Sequence, residues 1–457
     1  MRNGYNPDII KERIAVVGAA ESGLSAAKVL MDMGKEVFLS DSCGEKELVQ
    51  RIIGKGLAGI DYEAEGNTRK ILEYEQIVLS PGVPADNEVI KSAYSQGIPV
   101  WSEIELGYKL CRGRIIAVTG STGKSTTVSL IGEALSSSGI RNTVCGNIGL
   151  PFSEVAQNIG PEDIAVVEVS SFQLESVVDF RPSVAVILNL YKNHLDRYSD
   201  EKEYYAAKKN ILKNLSNNDK AVLFSGNSLL FEWAEEIPHE KTIFFGEHTG
   251  PGESVWWEGN DIFYTLSDKP EKVLDLSGSV VPGDHNKNNI SAAAASLLSL
   301  GIGLDGLQNA VRRFSGLEHR MEYIGSFSGV KYYNDSKATT VESIRAALTA
   351  FDKPVVLIAG GRDKGCDFSL IREDIKKNIR RAVLIGEAKE RIREEWGDVT
   401  EVVFADSMDD AIEKALISGR SEYTVLLSPG CSSFDMFDNY KHRGEVFRKL
   451  VKERKHV

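Results

Sequence analysis

Apolar runs of four to eight residues recur along the chain, each closed by Gly, Ser, Asp or Asn, and most lead into stretches of helical periodicity. A strand that reads as a continuous apolar run is one buried on both faces, so the pattern predicts parallel strands in βαβ units and an α/β class. The first hundred residues carry RIAVVG, EVFLSD and QIVLSPG; the middle carries RIIAVTG, DIAVVEVS, PSVAVILNL and KAVLFSG; the last third carries PVVLIAGG, RAVLIGE, EVVFAD and TVLLSPG. Three groups of runs predict three domains, each a mostly parallel sheet with helices, over 1–102, 103–316 and 317–457. Ser102 precedes the strand that leads into a glycine loop, and Gly316 follows the Ala/Leu-rich helix at 290–300 and its successor. A length of 457 residues suits three domains of ordinary size.

One helix carries a chemical signal in its periodicity. From Glu203 to Leu215, Tyr204, Lys208, Ile211, Leu212 and Leu215 fall at i, i+4, i+7, i+8 and i+11, which puts Lys208 on the core-facing stripe and Lys209 about 100° away in solvent. A lysine on a buried face loses hydration of its ammonium form, so its pKa falls. Snorkelling of Lys208 to the surface is the bland alternative.

Charge narrows the partners: 66 acidic against 54 basic residues give a net charge of −12, which repels a nucleic-acid backbone. The five cysteines are far apart and form no C-x-x-C pair, the usage of reduced thiols in a cytoplasmic protein. The amino-terminal stretch MRNGYNPDIIKER has no apolar core, and no segment approaches the ~20 apolar residues that span a bilayer. A cytoplasmic enzyme with neither membrane nor nucleic-acid partner is expected.

The strongest local chemistry is GSTGKSTT, from Gly120 to Thr127, set between an apolar strand and a helical run. Gly120, Ser121, Thr122 and Gly123 free backbone N–H groups for phosphate oxygens, the helix start adds a positive dipole end, Lys124 adds a charge, and Ser125 or Thr126 can hold Mg²⁺. The first strand ends in Gly18-Ala-Ala-Glu-Ser-Gly23 and the second in Asp41, but Ala20 stands where a dinucleotide site needs its middle glycine, which argues against NAD or FAD. A nucleotide diphosphate still fits that edge, beside the turn Ser80 to Pro84. Glu168 interrupts a buried-looking strand near the phosphate loop, where Mg²⁺ is its economical partner. His194 lies in NHLDRY, the run GDHNKNN reads on its own as helix capping, and polar clusters with Lys337, Thr339, Lys364 and Ser433 follow strands of the last third and suit a small anionic substrate.

Taken in order, GSTGKSTT, VEVSSFQLE, NHLDRY, YYAAK, GDHNKNN and GLEHR resemble the central region of the Mur ligase family, and YNDSKATT with LSPGCSSFDMF resembles its D-glutamate-adding branch. The resemblance implies Rossmann-like first and last domains around a P-loop-type ATPase domain, and a monomeric ligase joining D-glutamate to UDP-N-acetylmuramoyl-L-alanine through an acyl phosphate. It implies UDP-substrate contacts at Ser22, Asp41, Ser42 and Gly82, with the peptide end at Asn147 and His194. It places ATP on Gly120 to Thr126, Asn289, Arg320 and Asp335, and two Mg²⁺ ions on Ser125, Glu168, His194 and a carbamylated Lys208. D-Glutamate falls to Thr339, Lys364, Ser433 and Tyr440, with Lys337 serving the phosphates or the intermediate. Three departures from the family pattern are Thr122 for Asn, Asn193 for Asp and Tyr440 for Phe. The rival functions are another ligase of the family, such as the folate polyglutamate enzyme, and a P-loop regulator that binds nucleotide without ligation.

Overall fold

The computed structural model describes residues 4–454 except 85–86, 192–196, 248–250, 266–268, 278, 280–282, 315, 352–353, 364 and 418–422. Every apolar run named above forms a strand, and the strands assemble into three sheets.

The first sheet contains β1 (Arg13–Val17), β2 (Glu36–Ser40), β3 (Asp61–Glu63), β4 (Gln76–Leu79) and β5 (Val100–Ser102) in the order β3-β2-β1-β4-β5, all parallel. The chain reverses its direction of travel across the sheet between β1 and β4, which opens a crevice at their carboxyl ends. The second sheet contains β6 (Arg114–Thr119), β7 (Asn142–Gly146), β8 (Ile164–Glu168), β9 (Val184–Ile187), β10 (Lys220–Phe224), β11 (Thr242–Gly246), β12 (Ser254–Glu258), β13 (Asp261–Thr265) and β14 (Glu271–Asp275). Its order is β14-β13-β12-β11-β10-β9-β6-β8-β7, parallel from β7 to β12, with β13 and β14 added as an antiparallel meander. The third sheet contains β15 (Glu322–Phe327), β16 (Val330–Asn334), β17 (Val355–Gly360), β18 (Ile379–Ile385), β19 (Glu401–Phe404) and β20 (Tyr423–Leu427) in the order β15-β16-β20-β17-β18-β19, parallel except for β15.

These sheets fall into two compact units, residues 1–277 with 287–311, and residues 278–286 with 312–457. The first unit holds both the first and second sheets, and the helix Glu103–Leu110 shows why they form one body: all eight of its residues are buried. Its polar groups find partners in the segments that connect the second sheet's strands. Glu105 accepts backbone N–H groups of Val178, Asp179 and Phe180 at 2.8 to 3.1 Å, Glu103 accepts that of Ser153 at 2.6 Å, and Lys109 pairs with Asp179 at 2.6 Å. A buried carboxylate is tolerated when several N–H groups converge on it. A second tie runs from the first sheet's helices, where Ser25 and Lys55 both bind Glu154.

All five thiols are free. Among the described residues no helix is long and apolar enough to cross a membrane.

Candidate active site

The phosphate loop springs from β6, which lies between β9 and β8 inside the second sheet, and ends in the helix Lys124–Ser137. Gly123 caps that helix at φ 82°, the left-handed region, and a Cβ there would lie 2.3 Å from Asn289 Oδ1. The conformation therefore favours glycine at this position, and any larger residue would also have to displace Asn289. Asn289 and Asn286 are buried inside the helix Asp284–Leu298, so the run GDHNKNN supplies helical side chains rather than a cap ahead of the helix.

Asn189 fixes the rest of the loop, a role that sequence reasoning missed. Its side chain accepts from the Thr122 backbone N–H at 2.9 Å and donates to the Thr122 carbonyl at 3.2 Å, while its own carbonyl accepts from the Ser121 N–H at 3.1 Å. The only signal was its place at the polar end of a buried strand. Ser121 is held further by Tyr191, whose N–H donates to Ser121 Oγ at 2.9 Å, and by the Tyr204 hydroxyl at 3.3 Å. Thr122 thus contributes through its backbone, which a change of side chain from Asn leaves intact.

Two lysines converge on one carbonyl of this loop. Lys124 Nζ donates to Gly120 O at 2.8 Å and to Ser121 O at 3.2 Å, and Lys208 Nζ donates to Gly120 O at 3.0 Å. Lys208 is 1% exposed and lies 4.6 Å from the Tyr204 ring centroid, whereas Lys209 reaches out to pair with Glu236 at 2.6 Å. The periodicity is met: Lys208 faces the core and does not snorkel. Burial first, and the charge of Lys124 second, push the Lys208 ammonium down to about 6, with Glu168 opposing. Lys208 is therefore largely a neutral amine near pH 7.

Glu168 ends β8, the neighbour of β6, and is 2% exposed. Its Oε1 accepts from the Asn147 side-chain amide at 2.8 Å, and its Oε2 is buried with no hydrogen-bond partner among the described residues. An orphaned buried carboxylate oxygen at the edge where the phosphate loop begins is the donor a hard divalent cation takes up. Ser125, in the first turn of the loop helix, is buried at the same strand edge. His194 and Asn193 lie outside the described residues.

At the first sheet's crevice, Asp41 accepts the backbone N–H groups of Ala19 and Cys43. Burial raises its pKa, but these donors outweigh burial and hold the carboxyl below its ordinary value. Ala20 sits in extended backbone, φ −77° and ψ 177°, which needs no glycine. Gly23 does need to be one, since a Cβ there would lie 1.8 Å from the Gly18 carbonyl. The glycines thus serve close packing of helix on strand. Ser22 opens the helix Glu21–Asp32 that follows β1, and Ser42 and Gly82 lie on the turns after β2 and β4, at the same edge.

In the second unit, β16 and β20 are neighbours, and their following loops carry the polar clusters. Asp335 accepts from Ser428 Oγ at 3.0 Å and the Met321 N–H at 3.2 Å, and burial pushes its carboxyl up to about 7 against the pull of Arg320. Lys337 is exposed and lies 5.9 Å from the Tyr440 ring centroid. Thr339 is half-buried, Ser433 is 2% exposed, and Lys364 lies outside the described residues. Arg443, unread from the sequence, is buried and joins two of these loops: it donates to Ser336 Oγ at 3.0 Å, Ser336 O at 2.8 Å and Cys431 O at 3.1 Å.

Comparison with known proteins agrees with this arrangement over nearly the whole chain. Residues 12–102 match a family described as "Mur ligase MurD-like, N-terminal domain", residues 118–297 match "Mur ligase middle domain", and residues 319–431 match "Mur ligase, glutamate ligase domain". Proteins named "UDP-N-acetylmuramoylalanine--D-glutamate ligase" are similar at full length. Those of Salinibacter ruber and Koribacter versatilis are each 37% identical, covering 97% and 98% of this chain and 99% and 98% of theirs. Among solved structures, MurF ligase from Thermotoga maritima in complex with ADP superposes with a TM-score of 0.59 at 16% identity, covering 92% of this chain and 96% of that one. MurC from the same organism gives 0.57 at 19% identity, covering 97% and 100%. The structural likeness is one of fold, and the sequence likeness carries the assignment: the chain belongs to the Mur ligase family.

Proposed function

We propose that this chain is the ATP-dependent ligase that adds D-glutamate to UDP-N-acetylmuramoyl-L-alanine during synthesis of peptidoglycan precursors. The observation that carries this is the 37% identity, over essentially full length, to ligases named for that substrate and amino acid. The enzyme acts as a monomer in the cytoplasm, where its nucleotide-linked substrates are found.

A carboxylate is a poor electrophile, so an oxygen of the alanyl carboxylate first attacks the γ-phosphorus of ATP, and ADP leaves. The D-glutamate amine then attacks the carbonyl carbon of the acyl phosphate, loses a proton, and expels phosphate as the amide forms. In the first step the loop N–H groups, the helix start and Lys124 bind the phosphates and offset their repulsion of the incoming carboxylate. Lys124 has to exchange its bonds to Gly120 and Ser121 for phosphate oxygens, a short reach within one loop.

Ser125, Glu168, His194 and Lys208 are the residues assigned to two Mg²⁺ ions, which supply Lewis-acid neutralisation of the charge developing on the phosphate. The orphaned oxygen of Glu168 supports this. Lys208 joins as a carbamate, formed when its neutral amine attacks carbon dioxide and releases a proton. A depressed pKa makes the amine available, and the resulting anion suits the cation Lys124 beside it.

Asp41, Ser22, Ser42 and Gly82 are assigned to the UDP moiety, with Asn147 and His194 nearer the reacting end. Asn289, Arg320 and Asp335 complete the nucleotide assignments. Thr339, Lys364, Ser433 and Tyr440 are assigned to D-glutamate, with Lys337 serving the phosphates or the intermediate. Lys364→Ala is expected to raise KM for D-glutamate by roughly 30-fold or more, about 2 to 4 kcal/mol for a stranded ligand carboxylate, and to leave KM for ATP nearly unchanged. Equal effects on both would remove Lys364 from the acceptor site.

The direct test is phosphate release measured against a panel of UDP-sugar peptides and amino acids. D-Glutamate with the L-alanyl UDP-substrate should stimulate it, and L-glutamate should act poorly. Stimulation by a folate would favour the polyglutamate enzyme, and release indifferent to either acceptor would favour the non-ligating regulator.

A further inference from the structure

Arg197 has no role in the chemistry above, yet its guanidinium makes contacts that no single sheet explains. Nη1 donates to the Gly82 carbonyl at 3.4 Å and Nη2 to the Val83 carbonyl at 3.2 Å, both in the turn after β4 that is assigned to the UDP-substrate. Nη2 also pairs with Glu175 Oε2 at 2.7 Å, and the guanidinium lies 4.6 Å from the Phe172 ring centroid. Glu175 directly follows the helix Ser171–Leu174, which itself follows β8 and its terminal Glu168. The other oxygen of Glu175 accepts from the Tyr198 hydroxyl at 2.6 Å.

Both members of the ion pair are only 16% exposed, and each has further hydrogen bonds. This differs from a solvated surface pair, whose two side chains are free to wander. The planar fork of arginine can serve two carbonyls and a carboxylate in one fixed geometry, which the point charge of lysine cannot. Arg197 also follows His194 by three positions along the chain. One side chain thus links the cradle of the UDP-substrate to the helix that follows the strand bearing Glu168, and by sequence to His194.

The UDP-substrate has a limited reach between its nucleotide and the alanyl carboxylate that must meet the γ-phosphate. The spacing between the first sheet's crevice and the phosphate loop therefore has to stay within that reach. We propose that Arg197 is a positioning residue that sets this spacing and thereby couples binding of the UDP-substrate to binding of magnesium nucleotide; this rests on the ligase assignment above. Such coupling is reciprocal, because it is a free energy shared by two sites. An arginine that merely braced the fold would lower stability and leave the coupling intact.

The test is calorimetry on the full chain with Mg²⁺ and the β,γ-imido analogue of ATP, with and without saturating UDP-N-acetylmuramoyl-L-alanine. In the unaltered protein the UDP-substrate should tighten analogue binding about fivefold or more. In Arg197→Met each ligand alone should bind within about twofold of the unaltered protein while the enhancement falls below about twofold, and Arg197→Lys should keep part of it. The proposal is overturned by full enhancement in Arg197→Met, by an unaltered protein that binds both ligands without enhancement, or by a loss of UDP-substrate affinity measured alone that equals the lost enhancement. Failure of the unaltered protein to bind the UDP-substrate at all would instead overturn the ligase assignment. Should Arg197→Met not fold, Glu175→Gln, which removes the ion pair and leaves the carbonyl contacts, carries the same test with the same outcomes.

Discussion

Lys124→Ala is expected to lower D-glutamate-dependent phosphate release by about 10³-fold or more, the scale seen when a charge-stabilising group is removed from a phosphoryl-transfer site. Binding of the UDP-substrate should persist, because the contacts assigned to its UDP moiety lie at the crevice of the first sheet while Lys124 opens the helix after β6. The fold should tolerate the change, since alanine is a good helix former and the loop's shape is held by Asn189, Tyr191 and Tyr204 rather than by Lys124 alone. The loss has a second component. Lys124 is the second-largest cause of the depressed Lys208 pKa, so its removal lets Lys208 hold its proton to higher pH and become less able to take up carbon dioxide. Steady-state kinetics with calorimetry of UDP-substrate binding separates these outcomes. Turnover within tenfold of the unaltered enzyme would remove the loop from the mechanism.

Lys208→Met is expected to abolish turnover and at the same time to stabilise the protein. The sign follows from linkage. Unfolded lysine titrates near 10.5 and folded Lys208 at about 6, so between those values the unfolded chain holds a proton that the folded chain has released. Stability conferred by the unaltered protein therefore rises with pH across that window. Near pH 7 the unaltered protein carries a deprotonation cost of roughly 5 kcal/mol that methionine, of similar length and apolar, does not have. Urea unfolding in metal-free buffer stripped of carbon dioxide should show the variant more stable at pH 7, with the gap closing by pH 10. A variant less stable than the parent at pH 7 would contradict the buried neutral amine. For the role as metal ligand, Lys208→Ala with added acetate or propionate is the companion measurement. Recovered turnover is expected if the small acid replaces the carbamate.

Much of this was legible in the sequence because the second sheet's strands are buried on both faces and so read as unbroken apolar runs. Lys208 was legible for the same reason, since a charge on an apolar stripe stands out against its neighbours. Strands β3 and β5 were not, being three residues long, and β13, β14 and β15 were not, because antiparallel strands at a sheet's edge mix polar with apolar positions. Asn189 and Arg443 escaped because what they do is tie together backbone segments distant in sequence, and residue type alone carries no trace of that. The run GDHNKNN misled because asparagines and an aspartate at a helix start resemble caps, although Asn286 and Asn289 are buried within the helix.

The helix Glu103–Leu110 has a consequence for biosynthesis. As the chain emerges from the ribosome, the first sheet has all its strands once Ser102 is out, yet the helix that follows has no exposed face on which to wait. Its Glu105 must stay hydrated until Val178, 73 residues later, presents the first of three N–H groups. Folding of the first sheet during translation is therefore open-ended at its carboxyl side. A nascent chain stalled between these two points would display to chaperones a helix whose apolar side chains have no cover and whose Glu103, Glu105 and Lys109 lack their partners, and the first and second sheets would reach their protected state together, in one late step.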